Sequence, residues 1–381
     1  MVRALAGKLR ASALSVDGAF ALFVLASLVA CAWIVRHVDS PYGDLIRVHT
    51  DHLHHVRATW TFWNVGWDVY REPFGVTAPL APLAVVPRIP WPDFPLAYPP
   101  GMFLVFALPT WFGATHPAMP PETFAKWTIF WVVLLSHVGL FGMWRALSRR
   151  PGGRFPLILG LVLLTWRMSL HGFYDAIWLG AAAMSVAALA ERRFDRSLLW
   201  FSAAIFLNYR AASFAPVAAW AGVSLLASPE SPRRKVATLL VAAATGALVV
   251  WTFLMFRAGS PPHDSAAYRA AASHLAEHAG LYWFVIASSV AAAAVALVKG
   301  DALAAVMVLW GMALTTVHSG HSWHSTILVG ACLTVGATRR AVPVAFLRNV
   351  LTMWMFGLWA MVFENPIFAS LRLVLERAKF K

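Results

Sequence analysis

Residues 101–114, Gly-Met-Phe-Leu-Val-Phe-Ala-Leu-Pro-Thr-Trp-Phe-Gly-Ala, are apolar throughout, yet the run is short and Pro109 interrupts it. A helix needs about 20 apolar residues to cross a bilayer. The segment is therefore either a strained crossing or a re-entrant or interfacial piece, and the choice fixes the sidedness of everything downstream. If it crosses, the next long apolar run, 127–144, ends outside and carries Arg145, Arg149, Arg150 and Arg154 with it. If it does not, those arginines are cytoplasmic, and so are Arg192, Arg193 and Arg196, then Arg233, Arg234 and Lys235, then Lys299, then Arg339 and Arg340. Cytoplasmic loops carry an excess of Lys and Arg. The second choice satisfies that rule at five successive loops, and it is the one adopted.

Working outward, the 381 residues are 60% hydrophobic and 13% charged, with a mean hydropathy of +0.65, a composition no ordinary soluble domain shows. Apolar runs repeat along nearly the whole length, so residues 1–381 read as one helical membrane domain. The net charge of +14 would point to nucleic acid in a soluble chain; here the arginines sit at the ends of apolar runs, as orientation signals do, and nucleic acid is set aside. Cys31 and Cys332 lie in apolar segments, which excludes a disulfide framework or a Cys-based metal site. The basic start, Arg3, Lys8 and Arg10, resembles a signal peptide, but apolar sequence continues past Cys31, and an uncleaved first transmembrane helix is expected.

That helix spans about 18–35. The others are expected at 127–144, 155–169, 177–190, 198–207, 211–227, 236–256, 281–298, 302–317, 327–337 and 344–363. The fold class is an all-α polytopic membrane protein with roughly 10–12 transmembrane helices. Arg372, Arg377, Lys379 and Lys381 fit this count poorly, because it leaves them outside. The richness in Ala, Arg and Trp points to a bacterial plasma membrane.

The topology sorts the polar residues. One side receives arginine-rich turns; the other receives 49–70, Tyr98-Pro-Pro-Gly101, His171-Gly-Phe-Tyr-Asp175, Asn208-Tyr-Arg210, 261–277 and the stretch containing His318, His321 and His324. Carboxylates, histidines and tyrosines converging on one membrane face are what an active site there requires. The long external loop 37–99 is the natural place for it. Its first half, 49–70, reads as an interfacial helix with Val56, Trp60, Trp63 and Trp67 on one stripe, and with His54 and His55 one turn after Asp51. Its second half holds nine prolines between Pro73 and Pro100, which forbid a regular helix.

Asp51, then Gly66-Trp-Asp-Val-Tyr70, then Tyr98-Pro-Pro-Gly101 opening a short apolar segment, resemble the polyprenyl-phosphate-sugar-dependent membrane glycosyltransferases of the GT-C class. The likeness is to the mannosyltransferases, including the catalytic subunit that adds the first mannose to GPI anchors. Phe173-Tyr-Asp175 and Asn208-Tyr-Arg210 are similar to weaker family features. The resemblance covers the first hundred residues, and the rest only in layout. It implies a lipid-linked sugar donor, a glycan, lipid or protein acceptor, and a site on the external face. Two departures stand out. Asp51 is followed by His52 and Leu53, so the second acid of an Asp-x-Asp pair is missing, and a divalent metal is not expected. Arg210 stands where the family tends to carry Lys; it keeps the charge and can grip phosphate through two hydrogen bonds.

Sugar transfer to a hydroxyl needs a base for the acceptor proton and cations or donors for the departing phosphate. Asp51 is the expected base. Arg210, with Tyr98 or a loop histidine, is expected on the phosphate, and Asp175 on sugar hydroxyls; His54, His55, Tyr70, His321 and His324 complete the substrate-binding candidates. Each has a plainer alternative: Asp51 as a helix cap, Arg210 as a snorkelling side chain, Asp175 as a cap or a partner of Arg167, and Tyr98-Pro-Pro as a rigid wall. The histidines at 318, 321 and 324 have metal-like spacing, but Gly320 argues for a loop and no carboxylate completes a set. Two other classes stay open, a transporter or lipid flippase and an assembly subunit without chemistry. The near absence of charge inside the helices argues against the first.

Overall fold

In the computed structural model the described residues are 16–37, 50–71, 96, 98–148, 169, 174–259 and scattered positions between 287 and 310. Helices α1 (Val16–His37) and α2 (Thr50–Val65) lead into a 3-10 turn, Gly66–Tyr70. There follow α3 (Gly101–Thr115), α4 (Pro121–Ser148), α5 (Asp175–Ala190) and α6 (Phe194–Leu207), a second 3-10 turn (Tyr209–Phe214), α7 (Ala215–Ala227) and α8 (Pro232–Gly259). The described residues contain no strand. Among the described residues three segments are long and apolar enough to cross a membrane: Thr123–Arg145, Tyr209–Ala227 and Pro232–Phe256. The expected helices at 155–169, 327–337 and 344–363 lie outside the described residues but for Ser169, as do Cys332 and the basic C-terminal tail.

Helices α4, α5 and α6 form the heart of the bundle, α5 running parallel to α4, with Gly139 beside Ala176 and Gly142 beside Gly180, and α6 returning antiparallel to α5. Small residues let their backbones approach, the packing that serves where lipid removes any hydrophobic drive between helices. A Cβ on Gly139 of α4 would run into the Ala176 carbonyl of α5, and a Cβ on Gly180 into the backbone of Gly139. On the other side of α5, Ser185 and Ser197 exchange hydrogen bonds with each other's carbonyls at 2.8 and 2.9 Å, which ties α5 to α6. Helix α1 packs on α4 through His137, whose ring nitrogens meet Ser27 Oγ at 2.8 Å and the Val133 carbonyl at 2.7 Å. Helix α8 packs on α6 but leaves Leu240, Val250 and Leu254 exposed, a bare apolar face suited to lipid.

The two ends of the bundle differ in kind. At the α5–α6 turn, Arg234 pairs with the buried Asp195 and with Glu230, while Lys235 Nζ donates to the carbonyls that close α7. The opposite end gathers Tyr174, Asp175, Asn208 and Arg210, a helix length away at about 1.5 Å per residue. Among the described residues, Arg192, Arg193, Arg234 and Lys235 thus lie at one end of the bundle and the Tyr174–Arg210 cluster at the other.

Helix α2 departs from expectation. An interfacial helix would bury one apolar stripe, but here Val56 is fully buried, Trp60 half-buried, and Trp63 and Trp67 are exposed. Residues 54–59 and Thr61 are buried instead, polar ones included. The helix inserts against α3, and local bonds make that tolerable: Thr59 and Thr61 hydroxyls donate to the carbonyls one turn back, and Thr110 of α3 donates to the Val56 carbonyl at 3.2 Å.

Candidate functional site

Tyr98-Pro-Pro-Gly101 positions the first wall. Pro99 and Pro100 offer their carbonyls to the amides of Met102 and Phe103 and so open α3 without needing donors of their own. Gly101 is required by proximity: a Cβ there would overlap the Phe206 carbonyl and the Leu207 Cα at the end of α6. This approach sets Tyr98 beside the mouth of α6. Leu96 N donates to the Val69 carbonyl at 2.9 Å, so the chain returns beside the turn from which it left.

His55 supplies the second wall. Its ring lies 4.4 Å from that of Tyr98, 5.0 Å from Phe106 and 5.4 Å from Tyr174, centroid to centroid. The third wall comes from the α5 entrance and the break after α6. Tyr174 Oη donates to the Leu207 carbonyl at 3.1 Å and accepts from Asn208 Nδ2 at 3.4 Å. Asn208 Oδ1 in turn accepts the Arg210 amide at 3.0 Å and so caps the 3-10 turn that carries the arginine. Arg210 Nη1 meets Asp175 Oδ1 at 3.1 Å, and Trp178 Nε1 donates to the same oxygen at 2.8 Å.

Among the described residues the phenols act on one another, Tyr98 and Tyr70 on Tyr174 and Tyr209 on Tyr70. Burial, then the neighbouring phenols and the Asp175 carboxylate, push the Tyr174 phenol well above its ordinary range, with Arg210 opposing. Burial also raises that of Tyr70, with Tyr209 adding to it. Both therefore stay neutral hydrogen-bond donors and acceptors at any working pH.

The structure brings together His55, Tyr98, Asp175 and Arg210 around Tyr174, while Tyr70 is buried against Trp67 and Phe103, and His54 at the position next to His55 on α2. Asp51 lies in the first turn of α2, one turn before His55, and its side chain is outside the described residues, as are His321, His324 and Arg167. Among the described residues no three His, Cys, Asp or Glu side chains come together as a metal site. Sequence reasoning passed over Tyr174, Trp178 and Arg57. Tyr174 and Trp178 flank Asp175 closely enough to have been noticed; Arg57, fully buried on α2, looks in the sequence like one more solvated charge. No protein-family model matches the chain, and no curated protein or solved structure shows significant similarity to it.

Proposed function

We propose that the protein is a membrane glycosyltransferase that moves a hexose, mannose or a similar sugar, from a polyprenyl-phosphate donor to a hydroxyl of an external glycan, lipid or protein acceptor. The observation that carries this reading is the meeting of His55, Tyr98, Asp175 and Arg210, drawn from widely separated segments, at the end of the bundle opposite the basic turns. A guanidinium for phosphate, a carboxylate and phenols for sugar hydroxyls, and aromatic faces for a pyranose ring are the groups this transfer calls for. In this reading the bundle is a multi-pass protein of a bacterial plasma membrane with the cluster outside, Asp51 takes the acceptor proton, and no metal takes part.

The test is transfer of radiolabelled sugar from polyprenyl-phosphate donors in membranes containing the full chain. Asp51→Asn is expected to lose at least about a hundredfold in rate, the scale of general-base catalysis, with unchanged expression and melting. Full activity in Asp51→Asn would remove the base assignment. A transporter or flippase is the second reading, favoured by the buried Asp175–Arg210 pair, since ionisable pairs inside helical bundles often mark transport routes. It predicts lipid or solute movement without sugar transfer.

A further inference from the structure

The turn from α5 to α6 holds an arginine in an unusual backbone conformation. Arg192 has a φ of +60° and stands just past the end of α5, where its amide donates to the Leu189 carbonyl at 3.0 Å and that of Arg193 to the Ala188 carbonyl at 2.9 Å. A left-handed position at a helix end is ordinarily filled by glycine, because a Cβ is strained there. The other described residues with positive φ, Gly66 and Gly300, follow that rule. An arginine kept where the backbone favours glycine has its use in the side chain rather than in the turn.

The charges around it are unevenly spent. Asp195 accepts from Arg234 Nε at 2.9 Å, which joins the first turn of α6 to the start of α8. Glu230 accepts from the same guanidinium at 3.3 Å, and Glu191 lies 3.5 Å from Arg193. Lys235 Nζ donates to the Leu226 and Ser228 carbonyls. The acids at this end are thereby engaged. Arg192, Arg196 and Arg233 are exposed, and among the described residues their side chains make no hydrogen bond or ion pair.

The residues beyond these cations point to the partner. Arg233 shares a face of α8 with Val236 and Leu240, three and seven residues on, and both are exposed. Arg196 shares a face of α6 with the exposed Leu199 and Trp200. At about 1.5 Å per residue, bare apolar surface begins about 5 Å further along each helix. Arg233 also stands at the start of Pro232–Phe256, a segment long and apolar enough to cross a membrane. A cation at the mouth of a span, with uncovered apolar side chains one turn inward, fits a molecule that carries an anionic head and an apolar tail in that order. A free phosphate or an acidic protein would meet the charge and leave the apolar faces bare.

We propose that Arg192, Arg196 and Arg233 form a headgroup surface for anionic phospholipid, whose chains lie along the exposed faces of α6 and α8. Arg234 and Lys235 fasten the helices that display it. The surface lies at the opposite end of the bundle from the Asp175–Arg210 cluster and is independent of the transferase reading.

The test is displacement of dansyl-labelled phosphatidylglycerol from the full chain in neutral detergent. Phosphatidylglycerol should displace the probe at least about tenfold more effectively than phosphatidylcholine, and inorganic phosphate should not displace it. Arg192→Gln, Arg196→Gln and Arg233→Gln should each weaken phosphatidylglycerol about fivefold, the scale of one cation near an anionic lipid surface, and the triple variant should bind the two lipids alike. Arg71→Gln removes the same charge at the other end, beside the turn that meets Trp251, and should bind as wild type. Arg192→Gly separates folding from binding: it relieves the left-handed strain, so the protein should melt higher while phosphatidylglycerol weakens about fivefold. A misfolded variant cannot give both results. Equal displacement by the two lipids in the wild type overturns the proposal, as does full lipid preference in the triple variant or in Arg192→Gly. So does a loss in Arg71→Gln equal to that in Arg233→Gln, the mark of bulk charge attraction, and so does displacement by inorganic phosphate, the mark of an ion site without a lipid.

Discussion

Replacing Gly101 with Ala tests the joint on which the site depends. The added Cβ would overlap the Phe206 carbonyl and sit against the Leu207 Cα, backbone atoms with no rotamer to give way. Ordinary carbon contacts begin near 3.5 Å, so α3 and the end of α6 have to part by about 1 Å. Overpacking of this kind costs about 1–3 kcal/mol, which outweighs the up to about 1 kcal/mol an alanine contributes inside a helix. The protein carries its own controls: a Cβ on Gly222 of α7 or Gly246 of α8 meets nothing within 4 Å. Gly222→Ala and Gly246→Ala should therefore be neutral or stabilising by up to about 1 kcal/mol. Thermal or denaturant unfolding of the purified chain in one detergent ranks all three. Because Tyr98 moves with α3 while Tyr174 stays tied to Leu207, Gly101→Ala should also slow the proposed sugar transfer by about a hundredfold, the usual consequence of a 1 Å misplacement. If Gly101→Ala melts with Gly222→Ala and keeps its activity, the close approach of α3 to α6 is wrong, and the construction of the site fails with it.

Two further outcomes follow from the same geometry. Tyr174→Phe removes the hydroxyl bonded to Leu207 and Asn208 and should destabilise the chain by about 1–3 kcal/mol, read from unfolding midpoints; no change would mean the link between the α5 entrance and the α6 exit is not made. The pH dependence has a definite sign. Tyr70 and Tyr174 have folded-state affinities for their protons raised above the unfolded value near 10. The stability from burying neutral phenols is thus fully present below about pH 10 and is lost as pH climbs further, by about 1.4 kcal/mol per pH unit for each tyrosine. Unfolding midpoints should fall less steeply with alkali in Tyr70→Phe than in wild type; identical slopes would refute the burial of that phenol.

Much of this architecture is written in the chain. Apolar runs and their lengths determine the helices, because lipid demands that every backbone polar group be satisfied within the segment. Expected helices at 127–144, 177–190, 198–207 and 236–256 coincide with α4, α5, α6 and α8. The arginines at 192–196 and 233–235 sort one end of the bundle from the other, since that bias belongs to local sequence and needs no knowledge of packing. Tyr98, Asp175 and Arg210 fall at the other end by the same sorting.

What only the tertiary structure decided is what those side chains do to one another. Asp175 and Arg210 are 35 residues apart, and nothing local says that they pair, because a pairing between helix ends is set by how the helices cross. Those crossings depend on Gly101, Gly139 and Gly180, residues whose role is visible only once another backbone lies against them. Helix α2 shows the same limit from the other side. Its composition reads as a surface helix, yet Thr59 and Thr61 satisfy themselves within it, and that internal satisfaction lets α3 bury His55 at the centre of the site.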